Sequence, residues 1–198
     1  MSRAAGSEES NGAARPWDPA EAELVERLRE HDETAVRQIY RLHADGIYRY
    51  ALYQGSDPAL AEDIVAEVFV RMMESMKSYE YRGFPISAWL FRIARNLVVD
   101  QQRRGGRVTA LDDSHAARLI SEDPLSLAER RLSWDELRDG LSELTEEQRQ
   151  VIVLKFVEDL DNQEVARIVG KSEGSVKSLQ HRALRSLRRI LERQANRV

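Results

Sequence analysis

The chain has no cysteine among its 198 residues, so disulfides and thiolate metal sites are excluded. Its four histidines, His31, His43, His115 and His181, stand without ligand spacing, and no metal is expected. Long apolar runs are also missing. No window approaches the roughly 18 apolar residues of a membrane span, and the opening MSRAAGSEESNGAARPW lacks the apolar stretch of a secretion signal. A cytoplasmic chain without membrane insertion is the expectation. No P-loop, metal cluster or triad-like pattern occurs, so neither an enzyme nor a cofactor is expected. Alternating strand runs, internal repeats and sustained heptads are absent as well, while helical periods dominate from Glu21 onward, which points to an all-α fold.

What is present is charge, segregated along the chain. The net charge is only −4, but six arginines between Arg82 and Arg107 face the single acid Asp100. From Lys171 onward, eight lysines and arginines outweigh Glu173 and Glu192. Two basic surfaces follow, either solvated helix faces or a pair of sites for a polyanion.

Periodicity divides the chain. Residues 1–20 are rich in Ser, Gly, Ala and Glu and read as a flexible tail. Residues 21–107 read as one helical domain, in which the stripe Leu60, Ala61, Ile64, Val65, Val68, Phe69, Met72, Met73 and Met76 marks the clearest helix. Asp32 or Thr34 is the expected cap of an earlier helix, Ser87 of a later one that ends at Gly105-Gly106. Residues 108–126, with Asp112, Asp113, Glu122 and Asp123, form an acidic linker, and a second helical domain spans 127–198. Capping boxes stand at Ser126–Glu129 and Thr145–Gln148.

In the second domain Ala166, Gly170 and Val176 lie at offsets 0, 4 and 10. A small residue lets two helices cross, a glycine takes positive φ in the turn, and a β-branched residue locks the second helix. The pattern fits a helix-turn-helix, and by itself also an ordinary helical hairpin. Ser172 is placed to cap the second helix. Gly174, Ser175, Lys177, Ser178, His181, Arg182 and Arg185 lie on or near the face left free by Val176, Leu179, Ala183 and Leu187. Amides and cations there suit phosphates, while Lys177, Ser178, Gln180, His181 and Arg182 are long or polar enough for base edges.

Between 78 and 104 the aromatics Tyr79, Tyr81, Phe84 and Trp89 alternate with Arg82, Arg92, Arg95, Arg103 and Arg104. Aromatic planes for bases beside cations for phosphates suit an opened strand. Core packing competes as the explanation for Leu90 and Trp89.

Three segments in order resemble the sigma-70 family of bacterial transcription initiation factors, in particular its compact extracytoplasmic-function group. AEDIVAEVFVRMM (61–73) resembles the core-polymerase-binding helix, SAWLFRIARNLVVDQQRR (87–104) the promoter-melting and minus-ten segment, and 144–189 the minus-thirty-five-binding domain. The resemblance implies that Asp63, Glu67 and Phe69 belong to the polymerase contact, the carboxylates facing the clamp helices of the largest subunit. It places Tyr79, Tyr81, Arg82, Phe84, Trp89, Arg92, Arg95, Asn96, Asp100, Arg103 and Arg104 at minus-ten DNA, the 78–85 loop receiving a flipped-out base. Ser172, Gly174, Ser175, Lys177, Ser178, His181, Arg182 and Arg185 fall at the minus-thirty-five element. The partners it implies are core RNA polymerase, promoter DNA and an anti-sigma factor. Two departures stand out: Ala66 replaces a common glutamine, and Leu179-Gln180 replaces the usual Arg-Leu. Without the resemblance, the same residues also fit a conventional helix-turn-helix regulator or a scaffold of helical bundles.

Overall fold

In a computed structural model of the chain, the described residues are 19–79, 85–105 and 137–195. The tail before residue 19, the loop residues Tyr81, Arg82 and Phe84, the 108–126 linker and the Ser126–Glu129 capping box lie outside them. Among the described residues there is no strand. The order is α1 (Pro19–Arg29), α2 (Glu33–Tyr53), α3 (Pro58–Ser75), a 3-10 turn at Met76–Ser78 and α4 (Ile86–Gly105). Helical residues 137–142 follow, then α5 (Glu146–Ile152), a π turn at Val153–Val157, α6 (Asn162–Val169) and α7 (Glu173–Ala195).

Local chemistry sets most boundaries. Asp32, not Thr34, caps α2: its carboxylate accepts from Thr34 N at 2.8 Å and from Arg27 Nε at 2.7 Å. The Arg27 guanidinium and the Thr34 amide together hold that carboxyl below its usual range. Asp57 caps α3 ahead of Pro58, whose missing N–H costs nothing in a first turn. Reciprocal capping boxes open α5, between Thr145 and Gln148, and α6, between Asp161 and Glu164. The second of these is not singled out by the sequence reading. Ser87 is not the cap of α4. The helix starts one residue earlier, and Ile86 N donates to the Glu21 carboxylate across the gap to α1.

The first module packs α2, α3 and α4 together, burying Ile39, Ile47, Tyr50, Met72 and Leu90, each worth about 1.5–3 kcal/mol for the aliphatics. In the second, α7 closes over α5 and α6 through Leu141, Val151, Leu154, Val165, Val176 and Ala183. The two helical modules expected from the sequence pack on each other: their buried side chains form one continuous cluster, with α6 lying against α4. The reason is visible on α4. Its buried residues Ile86, Ala88, Leu90, Phe91, Ala94, Leu97 and Val98 cover roughly 200° of the helix at about 100° per residue, too wide for one neighbouring layer.

Candidate nucleic-acid interface

Helix α7 begins with Ser172, whose Oγ accepts from Ser175 N at 3.2 Å. Before it, Gly170 closes α6 at φ 69° and ψ 38°, the left-handed conformation that glycine adopts without a Cβ penalty. Val176, Leu179 and Ala183 are buried and point into the module. Ser172, Gly174, Ser175, Lys177, Ser178, His181, Arg182 and Arg185 are all exposed, the helical ones on the opposite face. Packing of the apolar stripe therefore turns this polar set outward as a unit.

Their present partners are local and weak. Lys177 pairs with Glu173 one turn back at 2.8 Å, an i,i+4 pair of a few tenths of a kcal/mol. Arg182 Nε donates to Ser178 O at 3.4 Å, and Arg185 Nη2 lies 2.9 Å from His181 Nε2. Gln180, read from sequence as able to reach bases, is spent otherwise: its Nε2 donates to Asn162 Oδ1 at 2.6 Å, tying α7 to the start of α6.

On α4, Arg92, Asn96, Asp100 and Arg103 are exposed, and with half-buried Trp89 they fall within an arc of about 80°. Arg104 lies exposed at the margin of this face. Trp89 carries Tyr79 against its ring at 4.5 Å between centroids. Arg29 Nη2 donates to the Tyr79 carbonyl and so ties the end of the 3-10 turn to α1. Arg95 points elsewhere. Its Nε donates to Gln150 Oε1 at 2.9 Å, so the second module holds it.

On α3, Asp63, Glu67 and Glu74 share a face with Ala66 and Val70. Glu67 accepts from Arg71 Nε at 2.7 Å in an exposed pair. Phe69 is buried, and its ring packs at 4.8 Å on Tyr40, which is 50% exposed. Tyr40 and Val70 thus give the acidic face an apolar part that sequence reading assigned to neither site. The period does not separate Tyr40 from the core. It shares an azimuth on α2 with buried Ile47 and Ala51, and only the end of the packed layer exposes it.

A polar seam joins the modules. Arg49 donates to both carboxylate oxygens of Glu158, at 3.2 Å and 3.0 Å, and the Glu158 side chain is 5% exposed. Burial pushes the Glu158 carboxyl upward, opposed by the Arg49 charge and hydrogen bonds. Burial likewise lowers His43 and raises Tyr50. Among the described residues no group of acids and histidines suits a metal, and no helix is long and apolar enough to cross a membrane.

The sigma-70 region 2 family matches residues 39–108, and the sigma-70 region 4 family matches 134–187. The chain is 34% identical over 161 residues to the ECF RNA polymerase sigma factor SigL of Mycobacterium tuberculosis, covering 79% of this chain and 89% of that one. It is also 34% identical over 171 residues to the ECF RNA polymerase sigma factor BldN of Streptomyces coelicolor, spanning 85% of this chain but 65% of BldN. Among solved structures, CnrH in complex with the cytosolic domain of CnrY shares the fold, with a TM-score of 0.69, 22% identity and coverage of 87% and 97%. The sigma factor RpoE bound to the anti-sigma factor NepR from Bartonella quintana matches with a TM-score of 0.62, 26% identity and coverage of 79% and 96%.

Proposed function

Because the chain belongs to the extracytoplasmic-function group of the sigma-70 family, we propose that it binds core RNA polymerase, directs it to specific promoters and nucleates strand opening there. The acidic face of α3, Asp63 and Glu67 with Val70 and the Phe69-backed Tyr40 ring, docks on the clamp helices of the largest subunit. The α4 face of Trp89, Arg92, Asn96, Asp100 and Arg103, with Arg104 beside it, meets the minus-ten DNA. Tyr79, with Tyr81, Arg82 and Phe84, receives an unstacked base, whose extrusion costs a few kcal/mol that stacking and hydrogen bonds offset. Arg95 joins this surface once Gln150 releases it. The outward face of α7 reads the minus-thirty-five element.

One observation carries the reading. Every residue assigned to upstream recognition is exposed on one end and face of α7, immediately beyond a left-handed glycine, while the opposite stripe is buried. The chain supplies specificity, and the polymerase supplies the chemistry. It works in the cytoplasm, on the nucleoid when bound to polymerase. By similarity to the RpoE complex, an anti-sigma protein is a further partner. Run-off transcription with purified core polymerase and a randomised promoter library tests the reading. Two short elements at a fixed separation should be enriched in the transcribed templates. Start sites identical to those of core enzyme alone would refute it.

A further inference from the structure

Tyr79 and Trp89 meet from different elements, Tyr79 from the end of the 3-10 turn and Trp89 from the first turn of α4, with ring centroids 4.5 Å apart and planes inclined at 33°. One ring contact is too weak to hold two elements in register by itself. Both elements are tied to a third. Arg29 Nη2 on α1 donates to the Tyr79 carbonyl, and the Glu21 carboxylate on α1 accepts from Ile86 N, where the helix that carries Trp89 begins. The start of α4 needs such a group. A helix start leaves N–H groups without intrahelical partners, and Pro85 has no side chain that could accept from them. Glu21 supplies the acceptor from 65 residues away, with its charge at the favourable end of the helix dipole.

Arg29 gives up hydration for its contact. Its Nη1 pairs with Glu26 at 2.6 Å, and its Nε is buried with no hydrogen-bond partner among the described residues. An arginine that serves only the surface keeps its charged head in water. The geometry of α1 joins the two contacts into one device. Glu21 and Arg29 are eight residues apart, about 12 Å along the helix axis and about 80° around it. Between them Val25 and Leu28 are buried, so the apolar pair seats the helix in the core while both polar groups are presented from one rigid rod.

We propose that Glu21 and Arg29 are positioning residues for promoter opening, and that α1 is a brace holding the Tyr79–Trp89 pair as a preformed stacking platform for an unstacked base. The role in opening rests on the promoter reading above. Neither Glu21 nor Arg29 touches DNA in it. A platform already in place avoids the ordering cost that two free rings would meet on binding. The brace therefore acts on capture of the base, and leaves the first contact with the duplex to the exposed arginines farther along α4.

Trp89 reports on the platform in the full chain once Trp17→Phe and Trp134→Phe remove the other two tryptophans. In that background Glu21→Ala and Arg29→Ala should each increase quenching of Trp89 fluorescence by acrylamide, with helical content unchanged. Glu21→Ala should also speed hydrogen exchange at Ile86 N at least about tenfold, as expected when a charged hydrogen bond is lost. Glu21→Gln and Arg29→Lys, which keep an acceptor and a donor, should stay close to the parent. The same chains are then mixed with core polymerase and a template recovered from the run-off library, carrying 2-aminopurine in the minus-ten non-template strand. The alanine variants should open it about tenfold more slowly at unchanged closed-complex affinity, since the lost contact serves only the later step. Quenching equal to the parent's, opening at the parent's rate, or equal losses in closed binding and opening would each overturn the brace. A parent that transcribes the template without any 2-aminopurine signal, while quenching and exchange respond as expected, would leave α1 as the support of the aromatic pair and overturn the assignment of that pair to the opened base.

Discussion

Gly170 shows how one residue sets the recognition geometry. It takes left-handed φ and ψ between α6 and α7, and an added Cβ would meet nothing within 4 Å. Gly170→Ala should therefore act through the backbone alone, costing about 1–2 kcal/mol. Thermal melting should show a fall in Tm of roughly 2–8 °C for a chain of this size, without loss of the fold. An unchanged Tm would mean that the turn does not depend on glycine. This glycine was legible in the sequence because its spacing from Ala166 and Val176 is a local constraint. Gly46 was not, because Glu158, whose carboxylate lies against its empty space, is more than a hundred residues away.

At the scale of the element, α3 and α7 follow their hydrophobic periods, and their outward faces could be named from sequence. Asp63→Lys with Glu67→Lys tests the first. Both residues are off the buried stripe, and the lost Glu67–Arg71 pair is worth only a few tenths of a kcal/mol. Helical content should stay intact, while affinity for core polymerase measured by co-elution or titration falls at least about tenfold, as expected when charge complementarity is reversed. Retained affinity would remove this face from the polymerase contact. Helix α4 is less legible. Its apolar residues follow a helical period, but the period alone does not show that two layers cover their wide arc, so the resemblance groups Arg95 with Arg92 and Asn96. The structure instead places Arg95 against buried Gln150. Phe69 and Tyr40 exchange the roles that their sequence neighbours suggest, since the aromatic in the segment that resembles a polymerase-binding helix is buried and supports the exposed one on α2.

For the whole molecule, the proposed pair of DNA-binding faces on one chain would make the spacing between promoter elements a determinant of activity. Held on polymerase, each module raises the effective concentration of the other at its own element. Inserting five base pairs between the elements turns one face by about half a helical turn relative to the other. Run-off transcription from such a template should drop at least about tenfold, since one of two linked contacts is lost. Transcription indifferent to the insertion would show that the two faces do not act together. The core runs continuously across α4 and α6, a feature that the linear order of motifs does not contain.

Composition and period by themselves determined the helical class, the turn at Gly170, the acidic face of α3 and the outward polar face of α7. Each depends on residues within a few turns of one another, where helical geometry alone decides which side is apolar. Tertiary structure decided which exposed positions remain exposed, that Arg95 and Gln180 are already engaged, and that Gly46 makes room for a carboxylate. Those outcomes come from side chains distant in sequence meeting in space, and no local pattern encodes that meeting.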